Sequence, residues 1–456
     1  MNILHYTLGL PPLRSGGLIK YSTDLLLSQR DTEHNIALLY PGGINIKYPD
    51  KDIVGNKNWK DISLFEIKNP AIVPLLLGIK NPRNILDSKE ISEKCLEKFF
   101  QKFKPDIFHI HTLMGLPIEL VHFFKKKNVR IIYTSHDYFG LCIKVNFINQ
   151  DNVICQGANP QSCALCNYHS PSRPYLRLRN SKLLLNLKNI PLTKYLKKYR
   201  FENQRTRDKI NISEKEIFEY GLLIDFYKEI FASVDYFHFN SQLTQEMYSH
   251  CINIENSKVI PISHSGIEDN RVLKKFDTSN IRLTFIGNLS SYKGFPLLKE
   301  ILRSLNDKSI SNWTLNVWGS AIGQDIDCNQ ISYRGTYSQN QLKEVFNETD
   351  LLIVPSLWKE TFSLITMEAL SYGVPVLLSS NVGAKHFVKE YKPDFIYNSQ
   401  EELYSILKKI LSNTKLLEDY NKVIIKLPWK CSFDEHVKQI LYLYKELLSR
   451  NENSIY

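Results

Sequence analysis

The sequence predicts an α/β protein built from two doubly wound parallel sheets, and three observations lead to this fold class. The chain has 456 residues, a length that corresponds to about two or three domains. Short apolar runs alternate with stretches of helical periodicity, as in βαβ units. This alternation occurs twice, and a polar, turn-prone stretch over residues 263–280 separates the two runs. We therefore expect two domains that face each other across a cleft.

The first domain is predicted over residues 1–270. Its helices are expected after Gly16 and Gly17, over residues 90–103 and 117–126, and in a segment that ends near Phe231. An insertion over residues 138–213 interrupts the alternation. The predicted strands are 2–7, 36–40, 62–67, 106–111, 130–135, 236–240 and 259–262.

The second domain is predicted over residues 278–432, with helices that start near Phe295, Ser338, Phe362 and Lys385. A last helix, within residues 433–456, is expected to cross back onto the first domain. The predicted strands of the second domain are 281–287, 313–319, 331–335, 351–355 and 374–378.

The composition is that of a globular protein with a sizeable core. Apolar residues make up 43% of the chain, charged residues 23% and aromatic residues 12%. The longest nearly uncharged apolar run lies near residues 70–79, and it is too short to span a bilayer, which needs about 20 residues. The first residues lack a basic leader followed by an apolar core. The sequence therefore predicts a cytoplasmic protein.

The most informative strand-to-helix turn is predicted over residues 355–370. In doubly wound sheets, ligands bind at the carboxyl ends of strands and near helix N-termini. The amides of Thr361, Phe362, Ser363 and Leu364 are expected to be first-turn donors without intrahelical partners, which suits a diphosphate. Glu360 on the loop and Glu368 on the helix can hold two ends of one extended ligand. Taken singly, either glutamate is better explained as a capping or a solvent-facing side chain.

These residues together resemble a known family. The pattern Glu-Thr-Phe-Ser-Leu-x3-Glu-Ala-Leu-x2-Gly-x-Pro-Val from Glu360 onward is similar to the retaining glycosyltransferases of the two-domain GT-B fold, in the large group called family 4 or group 1. Ser15-Gly16-Gly17 resembles the glycine loop of that family. The segment from Phe285 to Gly294 resembles its phosphate-binding segment. The likeness covers nearly the whole chain, and the insertion is its least typical part.

The resemblance implies a role for each matching residue. Glu360 faces the donor sugar, Glu368 binds the ribose hydroxyls, and Lys293 neutralises the diphosphate. His136, at the end of a strand, lies near the transferred sugar, so the implied catalytic residues are Glu360, His136 and Lys293. The residues implied in donor binding are Gly16, Gly17, Asn288, Lys293, Gly319, Tyr337, Glu360, Thr361, Phe362, Ser363, Leu364 and Glu368.

One position departs from the family pattern. The family commonly has an arginine where this chain has Asn288, which can donate a hydrogen bond to phosphate but carries no charge. Lys293 would then hold the diphosphate alone, or Arg14 would assist it. The departure bears on donor affinity more than on the class of reaction.

The implied reaction moves a sugar, of hexosyl type, from a nucleotide-diphosphate donor to an acceptor hydroxyl with retention of configuration and without a catalytic metal or other cofactor. His136 and Asp137 are then positioning groups, and their alternative is a strand-end histidine and a helix-capping aspartate. We expect a role in surface polysaccharide synthesis, of capsule or lipopolysaccharide. Two rival functions stay open: a sugar-nucleotide epimerase of the same architecture, and a non-catalytic membrane scaffold that binds sugar nucleotides.

Four cysteines fall in the insertion. Cys142, Cys155, Cys163 and Cys166 include one C-x2-C pair, a spacing typical of zinc sites. A structural zinc ion would stabilise an insertion with little core of its own. Two disulfides, or unpaired buried thiols, are the alternatives, although disulfides are disfavoured in the cytoplasm.

The positive charge is concentrated in one segment. The chain carries a net charge of +11, and residues 173–209, with twelve basic and two acidic side chains, account for +10 of it. Leucines and isoleucines lie between these cations, a pattern typical of helices on anionic membrane surfaces. The sequence therefore predicts a peripheral protein at the inner face of the plasma membrane, with a glycan or lipid-linked acceptor. A solvated helical face is the alternative, and the sequence has no motif for nucleic-acid recognition.

Overall fold

The structure is a computed structural model, and it describes residues 1–43, 50–151, 153–181, 211–319 and 321–450. The chain divides into two compact units. The first comprises Met1–Phe239, Glu246–Val259 and the C-terminal residues from Val437 onward, whereas the second comprises Asn240–Gln245 and Ile260–His436. The main segment of the second unit begins at Ile260, 18 residues before the predicted start at residue 278, and the polar stretch 263–280 lies inside it.

The first unit contains an eight-stranded sheet. Its order is β3-β4-β2-β1-β5-β6-β7-β8, and every pairing is parallel except that of β3 with β4. The apolar strands β1, β5, β6 and β7 form its buried centre. The strands are β1 Asn2–Tyr6, β2 Asn35–Pro41, β3 Asp52–Trp59, β4 Ile62–Lys68, β5 Ile107–Ile110, β6 Arg130–Ser135, β7 Tyr236–Phe239 and β8 Ser257–Val259.

Helices connect the parallel strands of this sheet, and local sequence explains several of their starts. Ser92 accepts a hydrogen bond from the amide of Cys95, and Ser213 forms a capping box with Glu216. The helices are Gly17–Arg30, Arg83–Leu86, Glu93–Lys102, Ile118–Lys126, Pro160–Asn167, Arg173–Arg179, Glu214–Ala232 and Gln242–Cys251, with a 3-10 turn at Leu75–Leu77.

The C-terminal helix Phe433–Ser449 packs on the first unit, which confirms the predicted return of the chain. Tyr444, on this helix, is fully buried. Its hydroxyl lies 2.5 Å from Nδ1 of His109 in β5 and 3.3 Å from Nε2 of Gln29 in the helix Gly17–Arg30.

The second unit contains a seven-stranded sheet of order β11-β12-β10-β9-β13-β14-β15, in which only β11 and β12 pair antiparallel. Its strands are β9 Ile281–Ile286, β10 Trp313–Trp318, β11 Ile322–Gln324, β12 Ile331–Gly335, β13 Leu351–Val354, β14 Val376–Ser379 and β15 Ile396–Tyr397. Its helices are Phe295–Asp307, Leu342–Asn347, Leu364–Ser371, Lys385–Tyr391, Gln400–Ser412 and Lys415–Lys426, with 3-10 turns at Ser291–Lys293, Gln339–Gln341 and Pro393–Phe395.

The predicted fold class of two doubly wound α/β sheets is confirmed. The sequence missed three edge strands, β3, β11 and β15. Two of them are antiparallel and largely exposed, so they lack the apolar run that marks a buried parallel strand. The helix predicted to start near Phe362 begins at Leu364, and the helix predicted to start near Ser338 begins at Leu342, after a 3-10 turn at Gln339–Gln341. Among the described residues, no helix has the length and apolar character needed to cross a membrane.

Candidate active site

Four loops of the second unit follow the carboxyl ends of β9, β10, β12 and β13. Because these strands are parallel neighbours, their carboxyl ends share one edge of the sheet, the edge at which such sheets bind ligands. Most of the predicted donor residues lie on these loops, including Lys293 after β9 and Glu360 after β13. The predicted donor residues of the second unit therefore lie at one edge of one sheet.

Glu360 is held by both its backbone and its side chain. Its amide donates to the carbonyl of Asn381 and its carbonyl accepts from the amide of Gly383, each at 2.8 Å. Its Oε2 accepts from the hydroxyl of Ser356 at 2.5 Å, and its Oε1 lies 2.9 Å from Nζ of Lys293. Only 8% of Glu360 is exposed. The carboxylate therefore has a defined orientation before any ligand binds.

Lys293 is brought to Glu360 by a close contact between two loops. The next residue, Gly294, has φ of 76°, and a Cβ atom there would lie 1.7 Å from the carbonyl oxygen of Pro355. Only glycine fits this approach. The ammonium of Lys293 also lies 5.2 Å from the ring centroid of Trp358, within the range of a cation–π contact.

The segment 361–364 presents backbone amides, as predicted, but with a different geometry. Ser363 is the N-cap of the helix, and its φ of 93° is rare for a side-chain-bearing residue. The carbonyl of Thr361 accepts from the hydroxyls of Ser241 and Thr244 at 2.6 and 2.9 Å. Within the described part of the chain, the amides of Phe362, Ser363 and Leu364 donate to no acceptor. Together with the helix dipole they suit an anion.

Glu368 is positioned by a histidine that the sequence analysis missed. The amide of Gly266 donates to Nδ1 of His264 at 3.1 Å, so the hydrogen of the neutral ring lies on Nε2. That nitrogen lies 2.8 Å from Oε1 of Glu368. The Tyr337 hydroxyl donates to Oε2 at 3.4 Å, and burial together with the Glu368 carboxylate raises the pKa of Tyr337. His264 lies in the stretch that was predicted as a linker.

Two further predicted donor residues also have hydrogen-bond partners within the second unit. The side-chain amide of Asn288 donates to the hydroxyl of Tyr292 at 2.7 Å, and its oxygen accepts from Ser290. Gly319 donates its amide to the carbonyl of Gly335 at 2.7 Å, and a Cβ atom there would lie 2.3 Å from the carbonyl oxygen of Gly287. Both residues shape the loops around the site.

In the first unit, Gly16 lies in the loop after β1 and His136 directly follows β6, and β5 lies between these two strands in the sheet. Gly16 has φ of 109° and is the N-cap of the helix Gly17–Arg30, so that Gly17 is its first residue. His136 directly follows β6, and burial lowers its pKa to about 3. Burial raises the pKa of Asp137 to about 6, and its carboxylate accepts from the amide of Phe139 at 2.9 Å. Asp137 therefore forms a local turn and does not cap a helix.

The four cysteines of the insertion line one cavity of about 30 Å³. All four are free thiols, and burial raises the pKa of Cys142 to about 11 and that of Cys163 to about 12. They are not at ligand spacing in this structure. Over the described residues, the only group of three or more metal-ligating side chains with all ligand atoms within 4.8 Å of one another is His5, His109 and His111.

Comparison with known sequences gives a family for the second unit. Residues 267–426 match the model of the family "Glycosyl transferases group 1". A 41.2 kDa protein in the cps region of Klebsiella pneumoniae is 26% identical over 148 residues, which are 31% of this chain and 40% of that protein. A glycosyltransferase of Methanocaldococcus jannaschii is 27% identical over 116 residues, which are 24% of this chain and 29% of that protein. The chain thus covers less than half the length of both relatives.

Comparison with solved structures covers nearly the whole chain. Sucrose-phosphate synthase from Thermosynechococcus elongatus has a TM-score of 0.57 at 13% identity, with 98% of this chain and 99% of that chain covered. HepE of Anabaena, in complex with UDP and glucose, has a TM-score of 0.55 at 14% identity, with 98% and 99% covered. WaaG, a glycosyltransferase involved in lipopolysaccharide biosynthesis, has a TM-score of 0.52 at 13% identity, with 92% and 94% covered.

The family match includes Lys293, Glu360 and Glu368, the residues that the second sheet brings together at one edge. At these low identities the structural matches establish the fold alone. Residues 267–426 match the group 1 glycosyl transferase family, and the chain has the two-sheet GT-B fold.

Proposed function

We propose that the protein is a retaining glycosyltransferase that moves a hexosyl group from a nucleotide-diphosphate sugar to a glycan or glycolipid acceptor. The observation that carries the proposal is the Lys293–Glu360 pair at 2.9 Å beside the unpaired amides of residues 362–364, within the group 1 domain. One cation and several directed amides lie next to an oriented carboxylate, and a sugar diphosphate needs such a set of contacts.

The second unit would bind the donor along its length. The amides of Phe362, Ser363 and Leu364 would receive the diphosphate, and Lys293 would offset the charge that grows on the leaving phosphate. Glu368, oriented by His264, would accept hydrogen bonds from the ribose hydroxyls. Glu360 would accept from hydroxyls of the donor sugar, since Ser356 and Lys293 occupy only part of its acceptor capacity.

The chemical step exchanges one bond at the anomeric carbon. The bond from that carbon to the diphosphate oxygen breaks, and a bond to the acceptor oxygen forms on the same face. The acceptor proton passes to the departing phosphate oxygen. In this mechanism positive charge from Lys293 and the amides stabilises the leaving group, so the proposal includes no catalytic metal and no side-chain nucleophile.

The acceptor is proposed from chemistry and from relatives. The Klebsiella relative lies in a cps region and WaaG acts in lipopolysaccharide biosynthesis, which favours a surface polysaccharide. The basic segment 173–209 would bring a cytoplasmic protein to the anionic inner face of the plasma membrane. Residues 182–210 of this region lie outside the described residues, and the helix Arg173–Arg179 is its described part.

The test is transfer itself. Purified protein is incubated with UDP-, GDP-, ADP- and dTDP-linked sugars, with and without a membrane glycolipid extract, and release of nucleoside diphosphate is measured. Release that depends on the acceptor supports the proposal. Donor turnover that is indifferent to acceptor supports an epimerase, and binding without turnover supports a scaffold. Either of the last two results contradicts the proposal.

A structural zinc ion in the insertion is a second, separate proposal. Cys142, Cys155, Cys163 and Cys166 line one cavity, and metal binding would draw their sulfurs to tetrahedral spacing and displace their protons. Metal analysis of reduced protein should give about one zinc per chain, and the content should fall in Cys163→Ser. Cys95→Ser, a change outside the cluster, is the matched control. Zinc-free, fully folded protein would contradict this proposal.

A further inference from the structure

The core of the first unit contains a continuous chain of hydrogen-bonded polar side chains. Its members come from four adjacent strands and two helices, and all but His136 at its end are fully buried. We call this chain the histidine relay. It consists of His136, His111, His5, Gln29, Tyr444, His109, Thr134 and His238.

The contacts run without interruption from one end to the other. Nε2 of His136 lies 3.2 Å from Nδ1 of His111, and Nε2 of His111 lies 2.9 Å from Nδ1 of His5. Nε2 of His5 then lies 2.8 Å from Oε1 of Gln29, whose Nε2 donates to the Tyr444 hydroxyl at 3.3 Å.

The second half continues from Tyr444 through the sheet. Its hydroxyl lies 2.5 Å from Nδ1 of His109, and Nε2 of His109 lies 2.6 Å from the hydroxyl of Thr134. That hydroxyl lies 2.9 Å from Nδ1 of His238.

Gln29 gives the relay its direction. A neutral imidazole has one donor and one acceptor nitrogen, so each ring must pass on the direction that it receives. The oxygen of Gln29 can only accept, which places the hydrogen of His5 on Nε2. His111 must then donate from its own Nε2, and so must His136. On the other side, the Gln29 amide donates to Tyr444, whose hydroxyl hydrogen is left for His109.

We propose that this relay is a positioning device that holds His136 as the neutral Nε2–H tautomer, and that Gln29 and Tyr444 are therefore positioning residues for the reaction. The inference rests on the proposed function. Nδ1 of His136 can then only accept a hydrogen bond. It suits a sugar or acceptor hydroxyl and not a phosphate oxygen, which offers no proton at neutral pH.

Burial supports the neutral state of the rings. Burial lowers the pKa of His5 to about 4 and that of His111 well below its usual range. The relay does not conduct protons from end to end, because the Gln29 amide separates its two halves and an amide is a poor proton carrier. Its role is to fix orientation.

The same rings form the only described group at metal-ligand spacing, His5, His109 and His111. Both nitrogens of each ring already take part in hydrogen bonds within the relay. A metal ion would have to displace at least one proton and break one of these contacts. We therefore favour the relay and make metal binding an outcome of the test.

The test reads the tautomers directly. Long-range ¹H–¹⁵N spectra of the full chain, labelled in its histidine rings, should show His136, His111, His5 and His109 as neutral Nε2–H tautomers at pH 7. The His136 signals are assigned with His136→Gln. An Nδ1–H or charged His136, or stoichiometric metal in purified protein, overturns the proposal.

A pair of variants tests the function of the relay. Tyr444→Phe removes the hydroxyl that orients Gln29, so we expect mixed tautomers at His136 and a kcat about fivefold lower, with an unchanged KM for the nucleotide sugar. Tyr442→Phe is the matched control on the same helix, because Tyr442 is 64% exposed. Equal kcat and tautomers in both variants contradict the proposal.

The proposed glycosyltransferase function and the proposed role of the histidine relay can be refuted independently of each other. If wild-type protein transfers no sugar to any acceptor, the proposed function fails, whereas the tautomers are still measured. If Tyr444→Phe does not fold, the wild-type spectra still decide the tautomer of His136.

Discussion

The two units use polar side chains in opposite ways. In the second unit, the charged groups Lys293 and Glu360 form an ion pair near the edge of the sheet, and the side chain of Lys293 is 21% exposed. In the first unit, neutral groups such as His5 and His109 lie on the strands themselves, with no exposed surface. A charged side chain near solvent can exchange its ion-pair partner for a ligand, whereas buried neutral side chains hold one another in one orientation through hydrogen bonds. We therefore expect substitutions to separate the two kinds of site.

The largest effect is expected at Glu360. Glu360→Gln removes the charge that pairs with Lys293 and that we propose to face the donor sugar, so the rate of transfer should fall about 1,000-fold. Affinity for the nucleoside diphosphate should change by less than about twofold, because the substitution spares the amides of residues 362–364. Glu344→Gln, on an exposed helix position, is the control. Wild-type activity in Glu360→Gln would remove Glu360 from the site.

Acid should destabilise the first unit. Unfolded histidines take up protons near pH 6.5, whereas folded His5, with its pKa lowered to about 4, and His111 stay neutral. A lowered folded pKa contributes stability above pH 6.5 that is lost as the pH falls toward 4. The lowered pKa of His5 should therefore decrease the free energy of unfolding by about 2 kcal/mol between pH 7 and pH 5, and His111 should add to this decrease.

Denaturant titrations at several pH values measure this dependence. His5→Gln should reduce the dependence by the contribution of His5, because glutamine does not titrate, whereas His122→Gln should leave the slope unchanged, since the His122 side chain is 43% exposed. A stability that stays constant between pH 7 and pH 5 would mean that the buried rings are charged or already accessible to protons.

Lys293 tests the charge at the edge of the second sheet. Lys293→Gln should weaken nucleoside diphosphate binding about 30-fold, because one charge-assisted contact to phosphate is lost. Binding of the nucleoside without phosphates should not change. Calorimetric titration separates the two ligands, and Lys343→Gln, at an exposed position, is the control. An equal loss for nucleoside and nucleoside diphosphate would place Lys293 away from the phosphates.

Glu368 should give the smallest of these effects. Glu368→Gln weakens both the contact with His264 and the expected contact with ribose, so nucleoside diphosphate affinity should fall about tenfold, with kcat nearly unchanged. A 2′,3′-dideoxy nucleotide lacks the hydroxyls in question and should bind wild type and variant equally. If the variant also binds the dideoxy nucleotide more weakly than the wild type does, Glu368 does not contact the ribose hydroxyls.

The comparison also explains what the sequence could predict. Glu360, residues 361–364 and Glu368 lie within nine consecutive positions of one loop and helix, so chemistry and spacing are visible together. Lys293 follows from the same family pattern. The partners His264 and Ser356 were missed, because a histidine in a polar stretch and a serine in a loop carry no periodic signal. The pairing of Asn288 with Tyr292 was equally invisible, since it depends on the loop conformation.

The histidine relay could not be found along the sequence at all. Its members extend from His5 to Tyr444, and strand order brings them together. One local signal was present: His109 and His111 are two residues apart, so they lie on the same face where β5 ends. The short apolar strands β1, β5, β6 and β7 predict a hydrophobic core on both faces of the sheet. Only their order in the folded sheet shows that their polar side chains lie next to one another.

Binding of a nucleoside diphosphate tests the group 1 site most directly. Thermal unfolding is followed with UDP, GDP, ADP, dTDP and CMP, in wild type and in Lys293→Gln. One nucleoside diphosphate, at about 100 times its dissociation constant, should stabilise the wild type by about 2.7 kcal/mol, and Lys293→Gln should lose most of that shift. No stabilisation by any of the five nucleotides would contradict a donor site at Lys293 and Glu360.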